Sequence, residues 1–261
     1  MPSEILDYLC NLAIPRHPLL NPLGYMTVKR YILEQFSLLG QPEEFHFTEP
    51  ATPPGCNIIL KFPGQNPQLP PLLIGAHYDG VPNTAAADDN ASAVAALLIL
   101  AKYLHQKQLN RSIWLVAFDM EEWGMCGSLA LAKHFYQQKQ SLQLMISLEM
   151  LGYTSPTQDY PVAGMEQIYG TRGDFIALVA NQELAPTAKI MENIFNQFVR
   201  CQVLCVPNKG NGITGIRLSD HSPFWDYNYD AMMITDTAFM RNPHYHQPTD
   251  TIDTLDLNFL A

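Results

Sequence analysis

Four short stretches of the chain are β-rich or apolar without interruption: Asn57–Phe62, Leu72–Ala76, Ser112–Phe118 and Leu144–Leu148. Runs of this length, with no polar face, predict strands buried on both sides of a sheet. Between them, Ala91–His105 and Ser128–Gln137 read as helices. Strands alternating with helices predict an α/β fold, specifically a three-layer α/β/α sandwich around a mainly parallel mixed sheet. Upstream, Thr27 is placed to cap a helix over Val28–Leu39, with Gly40 at the position where a left-handed residue ends it. In the less regular second half, Phe175–Val179 and Ala231–Thr235 are expected strands and Pro186–Phe198 a helix, with proline in the first turn where it is tolerated. Prolines cluster at 50–54 and 63–71 as loop punctuation, no repeat is visible, and residues 1–261 are expected to form a single domain.

Composition narrows the range of partners. Hydrophobic residues make up 47% of the chain and charged residues 15%, enough apolar material for a large sheet core. The formal charge of −10, with no basic cluster, argues against nucleic acid. The start, Met1–Cys10, carries Glu4 and Asp7 and does not read as a secretory signal, and the longest apolar run, Ala93–Ala101, is far short of the ~20 residues of a membrane span. The expectation is a soluble, cytoplasmic protein with no membrane partner; oligomeric state leaves no mark in the sequence. Five cysteines at 10, 56, 126, 201 and 205, without zinc-ribbon spacing, suggest free thiols in a reducing compartment. Cys201 and Cys205 flank an expected strand, Gln202–Leu204, and read as packing residues.

The polar residues with chemical potential fall in telling places. His77 closes one predicted strand, Glu121 and Glu122 follow another, and Glu149 closes a third. In open α/β sheets, ligands bind in the crevice outside the carboxyl ends of the strands, so parallel strands would gather these side chains. Several carboxylates in one crevice cannot all stay ionised without a positive charge among them. A divalent metal supplies it, and imidazole with carboxylate donors makes Zn2+ the first choice, with Mn2+ or Co2+ also suited.

The order of His77-Tyr78-Asp79, Ala87-Asp88-Asp89-Asn90-Ala91-Ser92, Glu121-Glu122-Trp123-Gly124, Leu148-Glu149-Met150-Leu151-Gly152 and Tyr245-His246-Gln247-Pro248-Thr249-Asp250-Thr251 resembles the M28 zinc peptidases, members of the zinc-dependent exopeptidase superfamily. The resemblance runs from Arg16 onward. It implies that His77 and Glu149 hold one metal, Glu122 and His246 a second, and Asp89 bridges them. It further implies that Asp79 accepts the outward-facing N–H of His77, that Glu121 is the general base, that Asp220 lies close to the catalytic carboxylates, and that Tyr245 hydrogen-bonds the oxyanion. In the family the residue at position 149 is more often Asp, and the peptide after the bridging Asp is often cis. The activity implied is aminopeptidase action: hydrolysis of the first peptide bond of a peptide with a free N-terminus, through a water bridged by two zinc ions.

Other readings compete at single residues. A lone His at a strand end is usually structural, and a Glu pair is usually a solvated turn; the accompanying Asp79 and Asp89 segments shift that balance. His244 competes with His246 within one loop, and only the motif separates them. His17, His46, His105 and His134 read as surface or structural, and Trp114, Met120, Met145 and Met150 as core. Arg172, Arg217 or Arg241 reaching the site would clamp a terminal carboxylate and make the protein a carboxypeptidase. A glutaminyl cyclase-like acyltransferase using one zinc, and an inactive binding homologue, complete the alternatives.

Overall fold

A computed structural model describes residues 2–50 and 52–261. Eight strands form one sheet: β1 (Glu43–Phe47), β2 (Gly55–Phe62), β3 (Leu72–His77), β4 (Ile113–Phe118), β5 (Leu144–Glu149), β6 (Ile176–Asn181), β7 (Cys201–Val206) and β8 (Ala231–Thr235). Their order is β1-β2-β4-β3-β5-β8-β6-β7. The central strands β4, β3, β5 and β8 are mutually parallel, β2 and β6 are antiparallel to their inner neighbours, and β7 runs with β6. This is the mixed, mainly parallel sheet that the apolar runs predict.

The period of two along each strand divides its side chains between two cores. Ile74, Leu115, Ile146, Leu178 and Met232 face one side, beneath α1 (Pro2–Leu12), α2 (Pro22–Ser37), α3 (Ala93–His105) and, toward β6 and β7, a further helix over Ala185–Phe195. Leu73, Val116, Met145, Val179 and Met233 face the other, where α4 (Cys126–Gln137) packs. The remaining short helices are α5 (Glu166–Tyr169), α7 (His221–Asp226) and α8 (Leu257–Leu260), and the helix at Ala185–Phe195 is α6. Helix α7 joins α4 over β5 and β8. Fully burying each such side chain contributes about 1.5–3 kcal/mol, so both layers are strongly held. At Gly75 an added Cβ would lie 2.2 Å from the Phe118 ring, so only glycine lets that ring lie across β3.

Several local expectations are corrected. Helix α2 begins at Pro22, in the first turn, so Thr27 lies inside it and caps nothing. The helix ends at Ser37 with Leu38 in right-handed geometry, and Gly40 is absent from the positive-φ glycines. Gly40 is needed instead for space, since a Cβ there would meet Leu60 at 2.9 Å. Strand β1, with burial only at its last residue, carries too weak an alternation to be foreseen. Cys201 and Cys205 lie within β7 rather than at its flanks, and all five cysteines are free. Helix α6 stops at Phe195, leaving Phe198 exposed beyond it. Among the described residues, no helix is long and apolar enough to cross a membrane.

Candidate metal centre

The carboxyl ends of β3, β4 and β5 lie side by side, and the side chains just there converge. His77 is the last residue of β3 and Glu149 the last of β5, while Glu121 and Glu122 occupy the turn after β4. Asp89 enters from an irregular turn over Ala87–Ser92 that precedes α3, and its peptide bond to Asn90 is cis. His246 arrives from the loop after β8 with a left-handed backbone, φ 57°.

Asp89 divides the cluster. Its Oδ1 lies 3.2 Å from His77 Nε2 and its Oδ2 lies 3.1 Å from His246 Nε2. Glu149 Oε1 stands 3.6 Å from the first imidazole nitrogen and Glu122 Oε2 3.2 Å from the second. The result is two groups of three donors, His77–Asp89–Glu149 and Asp89–Glu122–His246, joined through one carboxylate. His246 Nε2 and Glu122 Oε1 are buried without a hydrogen-bond partner. Buried polar atoms are rarely left so, and orphaned nitrogen and oxygen donors that converge fit a borderline cation such as zinc.

The electrostatics agree. Burial raises the Glu121 pKa well above the carboxylate range, with His77 opposing and Glu149, Glu122 and Asp220 adding to the rise. Burial and the charge of Asp89 lift Glu122 to about 7, and burial likewise lifts Glu149. Asp89 goes the other way: burial opposes its ionisation, but its contacts with His246 and His77 outweigh that cost. Burial disfavours His246 as a cation, yet Asp89 and Glu122 carry its pKa to about 10. Without a metal, protons are drawn into the cluster to balance its charge.

A scaffold of backbone contacts holds these groups. Asp79 lies with Oδ1 3.3 Å from His77 Nδ1, and it accepts the backbone N–H groups of Glu121 at 3.0 Å and Glu122 at 3.2 Å. One carboxylate thus fixes the turn of both glutamates, and it lies against His77 Nδ1 without a hydrogen bond to it. Asp250 accepts the N–H groups of Asp88 and Asp89 at 2.9 and 3.2 Å, tying the His246 loop to the irregular turn. Asn90 straddles Glu149, donating to Leu148 O and accepting from Met150 N, both at 2.9 Å. Arg16, only 1% exposed, donates to the carbonyls of Tyr78, Ala85 and Ala86 as well as to Leu12 and Ile14. Sequence reasoning assigned no role to Arg16, Asn90 or Asp250, although Asn90 and Asp250 stand inside the quoted motifs.

Of the remaining candidates, Asp220 is fully buried with neither oxygen hydrogen-bonded, and burial raises its pKa to about 7. The Tyr245 ring stacks on His246 at 3.8 Å. His244 is turned away, bonded to Thr249 Oγ1 at 2.9 Å. The three arginines are engaged elsewhere: Arg172 with Asp174, Arg217 with Asp226, and Arg241 with Gln158, Thr237 and three backbone carbonyls. A second cluster, Glu44–His46–Cys56, was not foreseen. The Lys29 ammonium lies 3.0 Å from Glu44 there, so that carboxylate already has its cation.

Beside Glu149 and Tyr245 opens a cleft walled by Tyr160, Met165, Phe175, Val203, Met233 and Phe239. Several of its polar side chains are bonded within the protein: Tyr160 donates to Gly170 O, Tyr169 to Val203 O, and Gln158 to Thr237. The cleft therefore presents a largely apolar wall next to the donor cluster.

The sequence profile of Peptidase family M28 matches residues 57–261. The uncharacterized protein YfbL of Escherichia coli (strain K12) is 39% identical in a match of 208 residues that covers 74% of this chain and 63% of YfbL. The chain thus spans less than two thirds of that relative's length. Among solved structures, the LapA aminopeptidase of Legionella pneumophila superposes with a TM-score of 0.75 at 17% identity, covering 100% of this chain and 68% of that one. A glutaminyl cyclase of an Acidobacteriales bacterium superposes at 0.71 with 18% identity, covering 99% of this chain and 88% of the other. At these identities the two likenesses show the fold.

Proposed function

Because the chain belongs to peptidase family M28, we propose that it removes the amino-terminal residue from peptides, with His77, Asp89 and Glu149 holding one zinc ion and Asp89, Glu122 and His246 a second. The observation that carries this reading is the division of Asp89, whose two oxygens each face a different imidazole at 3.2 and 3.1 Å. When bound, the cations polarise the scissile carbonyl and make water more acidic.

The chain's own residues then have distinct tasks. Glu121 stands within reach of His77 and Glu122 but outside both donor groups that share Asp89. Its carboxylate takes a proton from the attacking water and returns it to the departing amine as the C–N bond breaks. Asp79 keeps Glu121 and Glu122 facing apart by holding both of their backbone N–H groups. Tyr245, stacked on His246, is placed to donate to the oxyanion formed on the carbonyl carbon. Glu149 and Glu121 favour a substrate carrying a free, positively charged amine, and the first side chain enters the apolar cleft. That wall suits a large apolar residue. A carboxypeptidase reading lacks its clamp, since Arg172, Arg217 and Arg241 are all committed.

The test is release of free amino acid from peptides that begin with Leu or Phe, against the same peptides blocked at the amine, with metal content measured in parallel. Glu121→Gln should lower turnover by about 10²-fold or more at undiminished metal content. Turnover unchanged by that substitution, or formation of pyroglutamate in place of hydrolysis, would refute the assignment.

A further inference from the structure

The segment that joins α1 to α2 is fastened to the body of the protein by polar groups while its leucines face outward. Arg16 ties its start to the loop after β3, and in the first turns of α2 the Tyr25 hydroxyl donates to Asp119 Oδ2 at 2.6 Å. Between these anchors the buried His17 accepts the backbone N–H groups of Leu19 and Leu20 at Nδ1, at 3.2 and 3.1 Å. Burial lowers the His17 pKa against the opposing charge of Asp79, so the ring stays neutral and Nδ1 keeps the lone pair those bonds need. That ring packs on Trp123, the residue after Glu122, with centroids 5.6 Å apart. Leu19, Leu20 and Leu23 are 58, 64 and 85% exposed. Single apolar residues on a surface are ordinary, but three on one anchored turn, continuous through His17 with the turn that carries Glu121 and Glu122, form a ledge at the rim of the donor cluster.

The ledge and the apolar cleft flank the cluster from opposite sides. The cleft is walled by residues of β8, β6 and β7, beyond Glu149, whereas Trp123 follows β4, which β3 separates from β5. A peptide whose first side chain enters the cleft and whose scissile carbonyl lies over the donors therefore leaves across Trp123. We propose that this ledge receives the substrate residues that follow the scissile bond, so that the favoured substrates are peptides with large apolar side chains at their second and third positions. The inference rests on the aminopeptidase reading above, which puts the first side chain in the cleft.

The experiment compares leucine release from Leu-Gly-Gly-Gly and Leu-Phe-Phe-Gly by the intact chain supplied with zinc. Release from neither peptide refutes the aminopeptidase reading, and this inference with it. Given release, Leu-Phe-Phe-Gly should be preferred by about 5- to 20-fold in kcat/KM, and the gain should lie in KM because the ledge is touched in ground and transition state alike. With Leu19→Ser, Leu20→Ser and Leu23→Ser combined, the ratio between the two peptides should fall toward one. The ratio is internal to each preparation, so a misfolded fraction does not alter it, and Leu20→Ser alone serves if the combined variant does not fold. Sedimentation of the metal-free protein gives a second readout, since an accessible ledge requires either a monomer or a dimer that survives the substitutions. Equal use of the two peptides by the wild type, a preference undiminished in the variants, or a dimer that the substitutions dissociate would overturn the proposal.

Discussion

Replacing Arg16 by methionine keeps the length of the side chain and removes its five donated hydrogen bonds. Three of these reach the carbonyls of Tyr78 at 2.7 Å, Ala85 at 2.7 Å and Ala86 at 2.9 Å, in the loop that joins His77 and Asp79 to Asp88 and Asp89. The other two hold the end of α1, at Leu12 and Ile14. Burial lowers the pKa of the guanidinium, with the charges of Asp89 and Asp250 opposing, so part of the loss is offset by the desolvation that the charged group no longer suffers. The three loop carbonyls, left without a donor in a buried setting, each cost about 1–2 kcal/mol, giving roughly 3–6 kcal/mol in all. Against a total stability of about 5–15 kcal/mol this is a large fraction. At about 2–4 °C per kcal/mol for a domain of this size, the midpoint of thermal unfolding should fall by roughly 6–24 °C. Urea unfolding followed by circular dichroism gives the free energy directly. Arg16→Lys keeps the charge but offers three protons for five acceptors, so its loss should be intermediate. If Arg16→Met unfolds within about 1 kcal/mol of the wild type at an unchanged denaturant slope, the clasp contributes nothing and the reasoning fails.

Two further outcomes follow from the same geometry. Asp79→Asn must turn an amide N–H toward one of the two backbone donors of Glu121 and Glu122. It should reduce metal affinity by about 10- to 100-fold, read by competition with a chromogenic chelator, and wild-type affinity would show that Asp79 does not fix the turn of both glutamates. His221 is fully buried, donates from Nε2 to Ile216 O at 2.9 Å, and is driven by burial from 6.5 down to about 3. The fold therefore favours neutral His221: this stability is complete above pH 6.5 and is lost as pH falls toward 3. Relative to His221→Gln, the wild type should lose about 1.4 kcal/mol between neutral pH and one unit below 6.5, and parallel urea curves for the two proteins across that range would contradict the burial argument.

The sequence by itself determined the central sheet and the donors at its edge. Strands β3, β4, β5 and β8 are buried on both faces, and such strands announce themselves as unbroken apolar runs. The polar residue that ends each run stands out for the same reason, which is how His77, Glu121, Glu122 and Glu149 were legible. Edge and surface elements lack that contrast: β1 reads as Glu-Glu-Phe-His-Phe, and the start of α2 turned on Pro22 rather than Thr27.

Tertiary structure alone engaged Arg241 with Gln158 and with the Tyr153, Gly173 and Phe175 carbonyls, and brought Ser219 to Glu149 and Arg16 to the Tyr78–Ala86 loop. These pairings join residues far apart in the chain, 62 positions for Arg16 with Tyr78, 70 for Ser219 with Glu149 and 83 for Arg241 with Gln158. Local propensity acts over a turn of helix or a few residues of strand, whereas contacts at that separation exist only once parallel strands and their crossovers have set distant segments side by side.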